Sequence, residues 1–394
     1  MKKDKMFFKG ALTGALAMFC LLVGGNTLWK WASYAGILPE SLSATSAVES
    51  KLQKLESLVD QYYLYQDDID KEMQTEGIYA GYMAGLMDPY TTYYTEEQTE
   101  ELMQGISGEF TGIGATMMQD LEEGTTQVTD IEKNSPAEEA GLQVGDLLIQ
   151  VDDHKITDES LDEIVKWIRG EEGTEVTITV VRDEEEKSFT MTRRVIQQNT
   201  VEYEMMDGQT GYIRVKEFDE VTSSQFENAL NDLEKQGMEG LVIDIRNNPG
   251  GNLDTVVAML QQILPEGVIV TTKEWDGTSE EYTCDGTHEF TKPLAVVVNG
   301  SSASASEVFA AAVKDYGIGT IVGETTYGKG VVQDVIGLQD GSSVKITTAE
   351  YFPPSGKSIN KIGVEPDVEI EFETDPENPE ADNQLEKALE IVRQ

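Results

Sequence analysis

The residues from Pro293 to Gln333 constrain this chain more than any other stretch. They open with Leu294-Ala295-Val296-Val297-Val298, a short β-branched run bounded by Pro293 and Asn299-Gly300, which predicts a buried strand. Ser301-Ser302-Ala303-Ser304-Ala305-Ser306-Glu307 follows, and then Val308-Phe309-Ala310-Ala311-Ala312-Val313 predicts a helix ending near Gly317. A strand that turns through small residues into a helix leaves unpaired backbone N–H groups at the turn. A serine there can expose its hydroxyl beside donors ready for an oxyanion. Gly323-Glu324-Thr325-Thr326-Tyr327-Gly328-Lys329-Gly330 then leads into Val331-Val332-Gln333. One lysine among glycines, entering an apolar strand, is a candidate buried base.

A nucleophilic serine needs a base, and the chain has two histidines. His154 follows Asp152-Asp153 in a predicted hairpin turn, and His288 lies in a polar loop after Cys284-Asp285-Gly286; neither has a serine-rich turn beside it. Lysine can replace histidine when burial disfavours its charged form and lowers its pKa. The residues alone leave two readings open: a serine nucleophile with a lysine base, or a helix cap beside a solvated loop cation.

Asn299-Gly300 with the Ser301–Glu307 tract, and Gly323–Gly330 with Gln333, closely resemble the carboxy-terminal processing peptidases, also called tail-specific proteases, of the S41 serine peptidase family. The resemblance extends over nearly everything after the first 30 residues. It implies that Ser304 is the nucleophile, Lys329 its base and Gln333 the support of the lysine. It also implies an α/β core of the crotonase/ClpP type, a ββα spiral, over residues 194–370. Asp244-Ile245-Arg246-Asn247-Asn248-Pro249-Gly250-Gly251 matches a family turn, and paired glycines after a strand allow close backbone approach to a substrate. A backbone N–H of Gly250 or Gly251 is therefore expected to join that of Ala305 in an oxyanion hole. Tyr351–Lys357 and Gly363–Asp367 match late family segments.

Residues 107–193 read as an inserted PDZ domain. Phe110-Thr111-Gly112-Ile113-Gly114 resembles its carboxylate-binding loop, in which glycines let N–H groups converge on an anion. Peptide binding is expected at Thr111, Gly112, Ile113 and Gly114. The helix predicted over 160–169 carries Leu161, Ile164, Val165 and Ile168 on one face, and strands are expected at Thr174–Arg182 and Lys187–Arg193. PDZ domains take an extended peptide as an added strand and hold its terminal carboxylate. Arg169, at the end of that helix, is a candidate gating contact.

The remaining segments bound the setting. Lys2, Lys3, Lys5 and Lys9 precede an uncharged run from Gly10 to Trp29. As a helix that run spans about 30 Å, enough for one bilayer crossing. The basic start places the amino terminus inside and the catalytic part on the extracytoplasmic side of a bacterial cell membrane. No clear A-x-A site follows, so residues 1–30 are expected to remain as a single-pass anchor, with 31–47 as linker. Residues 48–106 predict helices, with Leu52, Leu55, Val59, Tyr62 and Tyr63 at spacings of three and four and Thr95-Glu96-Glu97-Gln98 as a capping box. Tyr62, Tyr63, Tyr65, Tyr90, Tyr93 and Tyr94 read as packing or homodimer contacts. Residues 371–394 predict an acidic linker and a short amphipathic helix with Leu385, Leu389 and Val392.

A formal net charge of −44 argues against nucleic acid, whose phosphates would repel such a chain. Two cysteines, Cys20 and Cys284, make no disulfide framework, and no Cys/His cluster suggests a metal. No cofactor is expected. The expected partners are proteins or peptides with apolar carboxy termini. The competing class is a non-catalytic PDZ adaptor, against which the intact Ser304, Lys329 and Gln333 argue.

Overall fold

The computed structural model describes residues 42–120, 124–157, 159–374, 378 and 381–394, with side chains from residue 47 onward. The expected anchor, Gly10–Trp29, lies outside the described residues. Among the described residues no helix is long and apolar enough to cross a membrane. The chain divides between Gly77 and Ile78 into two units.

In the first unit, helix α1 (Leu42–Tyr62) precedes a 3-10 turn at Gln66–Asp68 and the start of α2 (Lys71–Ala84). Lys71 lies 3.7 Å from both Glu56 and Asp60. The predicted apolar stripe of α1 is largely exposed at Leu55 and Tyr62.

The second unit continues with β1 (Thr92–Tyr94) and α3 (Glu96–Ser107). Thr95 and Gln98 form the expected capping box, and Gly108 closes α3 in the left-handed region. Strand β2 (Glu109–Gly112) leads into a barrel-like module: β3 (Ala115–Asp120), β4 (Thr125–Ile131), α4 (Pro136–Ala140), β5 (Leu147–Val151), β6 (His154–Lys155), α5 (Leu161–Ile168), β7 (Glu175–Arg182) and β8 (Glu185–Thr192). The chain leaves through β9 (Arg194–Gln197), which pairs antiparallel with β2 as a two-stranded stem. Alternating burial along β7 places Val176, Ile178 and Val180 inward, against Ile164 and Ile168 of α5.

The rest of the unit alternates strands and helices: β10 (Val201–Met206), β11 (Thr210–Val215), α6 (Thr222–Lys235), β12 (Gly240–Asp244), α7 (Leu253–Leu260), β13 (Gly267–Glu274), β14 (Ser279–Cys284), β15 (Leu294–Val298), α8 (Ala305–Tyr316), β16 (Thr320–Gly323), β17 (Val331–Gly337), β18 (Ser343–Phe352), β19 (Val368–Glu369) and α9 (Asn383–Val392). Six strands form one sheet in the order β10-β11-β12-β15-β16-β19, parallel except for the first pair. Every residue of β12 and β15 is buried. The reason is that both faces are covered. Leu241, Ile243, Val296 and Val298 face α6, α7 and α8, while Val242, Ala295 and Val297 face Ala388 and Val392 of α9. The terminal helix thus packs on the core. A second sheet, β1-β18-β13-β14 with β17 also on β18, carries the loop between β16 and β17 to the carboxyl ends of the parallel strands.

Candidate active site

Strands β12 and β15 are adjacent and parallel, so their following turns, Asn247–Asn252 and Asn299–Ser304, lie side by side. Asn247 and Asn299 join them: Asn247 N–H donates to Asn299 Oδ1 at 3.0 Å, and Asn299 Nδ2 donates to Asn247 Oδ1 at 2.9 Å. Asn248 is fully buried and does more. Its amide donates to Val215 O, its Oδ1 accepts from Gly250 N–H at 2.8 Å, and its carbonyl accepts from Ala303 N–H and Ser306 Oγ. Asp244 and Arg246 of the same motif face away. Arg246 pairs with Asp244 at 2.6 Å and with Asp382 at 2.7 Å, bracing the start of α9.

This stitching sorts the serines. Ser302 is buried, with Oγ donating to Ile245 O at 2.8 Å, and Ser306 is buried against Asn248 O. Both hydroxyls are consumed by the turn. Ser304 is half-buried and faces a cavity of about 570 Å³. It caps α8 at φ +55°, ψ −113°, a conformation that non-glycine residues rarely adopt and that concentrates at functional sites.

Ala305, Gly250 and Gly251 line the same cavity. Gly250, at φ +108°, lies so close to the serine turn that a Cβ would stand 2.8 Å from Ser304 Cβ and 3.0 Å from Ala305 N. Its own N–H is held by Asn248. Among the described residues, the N–H groups of Ala305 and Gly251 have no hydrogen-bond partner. The geometry therefore distinguishes the two glycines that the sequence leaves equivalent.

Lys329 and Gln333 also line this cavity. The Lys329 ammonium lies 4.7 Å from the Tyr90 ring centroid, and among the described residues no carboxylate forms an ion pair with it. Burial pushes its pKa below the ordinary 10.5, Lys345 adds to the effect, and Asp88 and Glu307 oppose it. No hydrogen bond joins Ser304 Oγ to Lys329 Nζ among the described residues. Gln333 donates from Nε2 to Thr347 Oγ1 at 3.3 Å, not to Lys329. His154 stacks on Trp167 with centroids 4.5 Å apart inside the module of β3–β8, and His288 lines a separate cavity beside Cys284. Neither histidine reaches Ser304.

Two residues that the sequence reading passed over hold the site together. Tyr351, buried in β18, places its hydroxyl on the carbonyls of both Lys329 and Ser304, the latter at 3.0 Å. Glu307, the last residue of the serine tract, is fully buried and accepts hydrogen bonds from the backbones of both. Its place in the tract was visible, but Thr326, Gly328 and Lys329, three of its four partners, lie more than 15 residues away in sequence.

Within the module, Thr111 and Gly112 end β2, opposite Val195 and Arg194. Ile113 is buried, its carbonyl accepting from Ala137 N–H, and Gly114 packs on Ser135 at φ +75°. Strand β3 follows directly and among the described residues pairs only with β4, leaving its other edge unpaired there, and Ala115 and Met117 share a cluster with Ile164 and Ile168 of α5. Arg169 does not reach the cavity. It donates to Gln104 Oε1 of α3 at 3.2 Å, and Lys166 pairs with Glu97 of α3 at 2.6 Å. Helix α3 itself lines the cavity through Leu102, Gly105 and Ile106.

The model of peptidase family S41 matches residues 209–370, and a PDZ domain model matches residues 127–182. A Staphylococcus epidermidis protein described as a probable CtpA-like serine protease is 37% identical over 362 residues, covering 91% of this chain and 72% of its own length. The chain belongs to the S41 C-terminal processing family of serine proteases. A Staphylococcus aureus relative of the same description is 37% identical over 329 residues, covering 82% of this chain and 65% of its own length. Among solved structures, the photosystem II D1 C-terminal processing protease is 32% identical with a TM-score of 0.47, covering 84% of this chain and 89% of its own. A Bacteroides fragilis chain described as an S41 protease is 18% identical with a TM-score of 0.50, covering 85% and 95%.

Proposed function

We propose that this S41 protease is a membrane-anchored, extracytoplasmic endopeptidase that selects proteins by their carboxy-terminal tails and cuts them with a Ser304–Lys329 dyad. One observation carries the reading: Ser304 alone among the bonded serines of its tract faces the cavity that the pKa-depressed Lys329 also lines. Neutral Lys329 takes the hydroxyl proton as Ser304 Oγ bonds to the scissile carbonyl carbon. The N–H groups of Ala305 and Gly251 receive the oxyanion. Collapse breaks the C–N bond, and the Lys329 ammonium returns the proton to the leaving amine. Water then attacks the acyl carbon, giving a proton to Lys329; the ester C–O bond breaks, Lys329 returns that proton to Ser304 Oγ, and the new carboxyl terminus leaves. Gln333 is assigned to support of Lys329 from the same cavity.

Tail selection belongs to the PDZ module. An apolar tail would add as a strand along the open edge of β3, with its carboxylate at Thr111–Gly114 and its side chains against α5. The basic start and apolar run of residues 2–29 support the membrane anchor and an extracytoplasmic catalytic part.

The test is hydrolysis of a short peptide and of the same peptide on an apolar-tailed protein. Ser304→Ala should lose activity by at least about 1,000-fold while remaining folded. Lys329→Arg should be nearly as damaging, because guanidinium stays protonated and cannot accept the serine proton. In the wild type kcat/KM should rise with pH as Lys329 loses its proton, with a midpoint below 10.5. Turnover persisting in Ser304→Ala would sink the assignment. Membrane fractionation of the full chain tests the anchor, and recovery in the soluble fraction would count against it.

A further inference from the structure

Among the described residues, Glu307 is the one fully buried carboxylate whose hydrogen bonds reach both reacting segments. Its Oε2 accepts from the N–H groups of Ser304 at 2.9 Å and Lys329 at 2.8 Å. Its Oε1 accepts from Thr326 Oγ1 and from Gly328 N–H, each at 2.7 Å. All four partners are donors, so both oxygens act only as acceptors, the role of an ionised carboxylate. A charge buried this deeply is tolerable only when its hydrogen bonds are satisfied, and these are. The Thr326 hydroxyl is fixed in turn by accepting from Val364 N–H at 2.7 Å.

The arrangement has two physical consequences. Ser304 is held at a rare φ and ψ, and its N–H bond to Glu307 is made in that conformation. Lys329 reaches the cavity from a glycine-flanked loop on the other side, and the same oxygen holds its N–H. The span between the two backbones is thereby set by one atom. Glu307 does not line the cavity, so substrate does not touch it.

We infer that Glu307 is the positioning residue of the reaction: it fixes the Ser304 turn to the Lys329 loop through one carboxylate. The inference rests on reading Ser304 and Lys329 as nucleophile and base. Acting from behind the site, it should affect kcat rather than KM. Lys329 is pushed toward its neutral form by burial and Lys345 and held back by Asp88 and, less strongly, by Glu307, so removing Glu307 should make that amine easier to deprotonate.

Glu307→Gln keeps the shape but sets an NH₂ group against two of the four donors. We expect kcat to fall about 100-fold with KM nearly unchanged, by the loss of bonds to a charged acceptor. We also expect the midpoint of the kcat/KM–pH profile to move to lower pH. A loss of activity with an unmoved midpoint would reduce Glu307 to a purely structural role and overturn the inference. If Glu307→Gln does not fold, Thr326→Val, which removes one donor, should lower kcat about tenfold, and Thr326→Ser should restore it. Equal rates for the two Thr326 variants would overturn it as well. Ser304→Ala in the same assay separates the failures. Activity persisting there removes the catalytic assignment, whereas an inactive Ser304→Ala beside wild-type kcat in Glu307→Gln removes only the clamp.

Discussion

Asp219 shows how a single residue is set against its surroundings. It is 5% exposed, its Oδ2 has no hydrogen-bond partner among the described residues, and it lines the cavity that Ser304 also lines, beneath Gly108. Burial, with Glu217 beside it, pushes its carboxyl up to about 7 from an ordinary 3.8. The sign follows directly. Between those values the unfolded chain releases the proton while the folded chain retains it, so rising pH lowers stability across that window, and the loss persists above it. Asp219→Asn cannot ionise. Its melting temperature relative to wild type should therefore climb from pH 4 to pH 7 and level off above, by at most a few kcal/mol of stability. A difference independent of pH, measured by thermal melts, would show that this carboxyl titrates normally. No sequence pattern announces this residue, because its pKa arises from the Gly108 corner closing over it.

At the scale of elements, the catalytic geometry comes from two strand-to-helix turns held side by side, and glycine is what lets them meet. A Cβ at Gly250 would press on Ala303 O, Ser304 Cβ and Ala305 N, all within 3.0 Å, and φ +108° strains any other residue. On the proposed roles of Ser304 and Ala305, Gly250→Ala should cut kcat by at least about 100-fold, because it would displace both. It should also cost a few kcal/mol of stability. Gly337→Ala, in β17 with open space at its Cβ, is the control and should retain wild-type kcat. Comparing kcat and denaturant midpoints of the pair checks this. A Gly250→Ala enzyme with unchanged kcat would mean the two turns are not in register with the chemistry. The turn motif is legible in the sequence, yet its division of labour is not. Asp244 and Arg246 serve α9, Asn248 serves both turns, and Pro249, Gly250 and Gly251 line the cavity.

At the scale of the molecule, the PDZ module enters and leaves through the β2–β9 stem, where Gly112 pairs with Arg194. Replacing residues 113–193 by a two-residue Asn-Gly turn should leave the stem closed and the core folded. Tailed substrates should then lose their advantage over short peptides. Short-peptide kcat/KM should change as well, because α3 would lose its contacts to Lys166 and Arg169 while still lining the cavity. An unchanged short-peptide rate would restrict the module to recruitment, and a retained tail preference would move recognition into the core. The exposed Glu97–Lys166 pair by itself should contribute little to stability.

Much of this protein was determined by its sequence alone, and the reason is locality. The strand at Leu294–Val298, the serine turn, the α8 helix, the glycine-flanked Lys329 and the capping box at Thr95 each follow from side-chain pattern and backbone preference within a few residues. The order of the PDZ elements and the alternation of strand and helix follow in the same way, and with the S41 motifs they place Ser304 and Lys329 in the chain. What only tertiary structure decided is which groups are already engaged. The hydroxyls of Ser302 and Ser306 and the amide of Gln333 are committed to partners distant in sequence, and Gly250 N–H is held by Asn248, which is itself stitched to the serine turn, whereas Ser304, Ala305 and Gly251 line the cavity. Hydrogen bonding is saturable, so a donor taken by one distant acceptor is lost to any other. Only the folded chain makes those long-range choices, and Glu307 makes one of them by holding the Ser304 and Lys329 backbones on a single buried carboxylate.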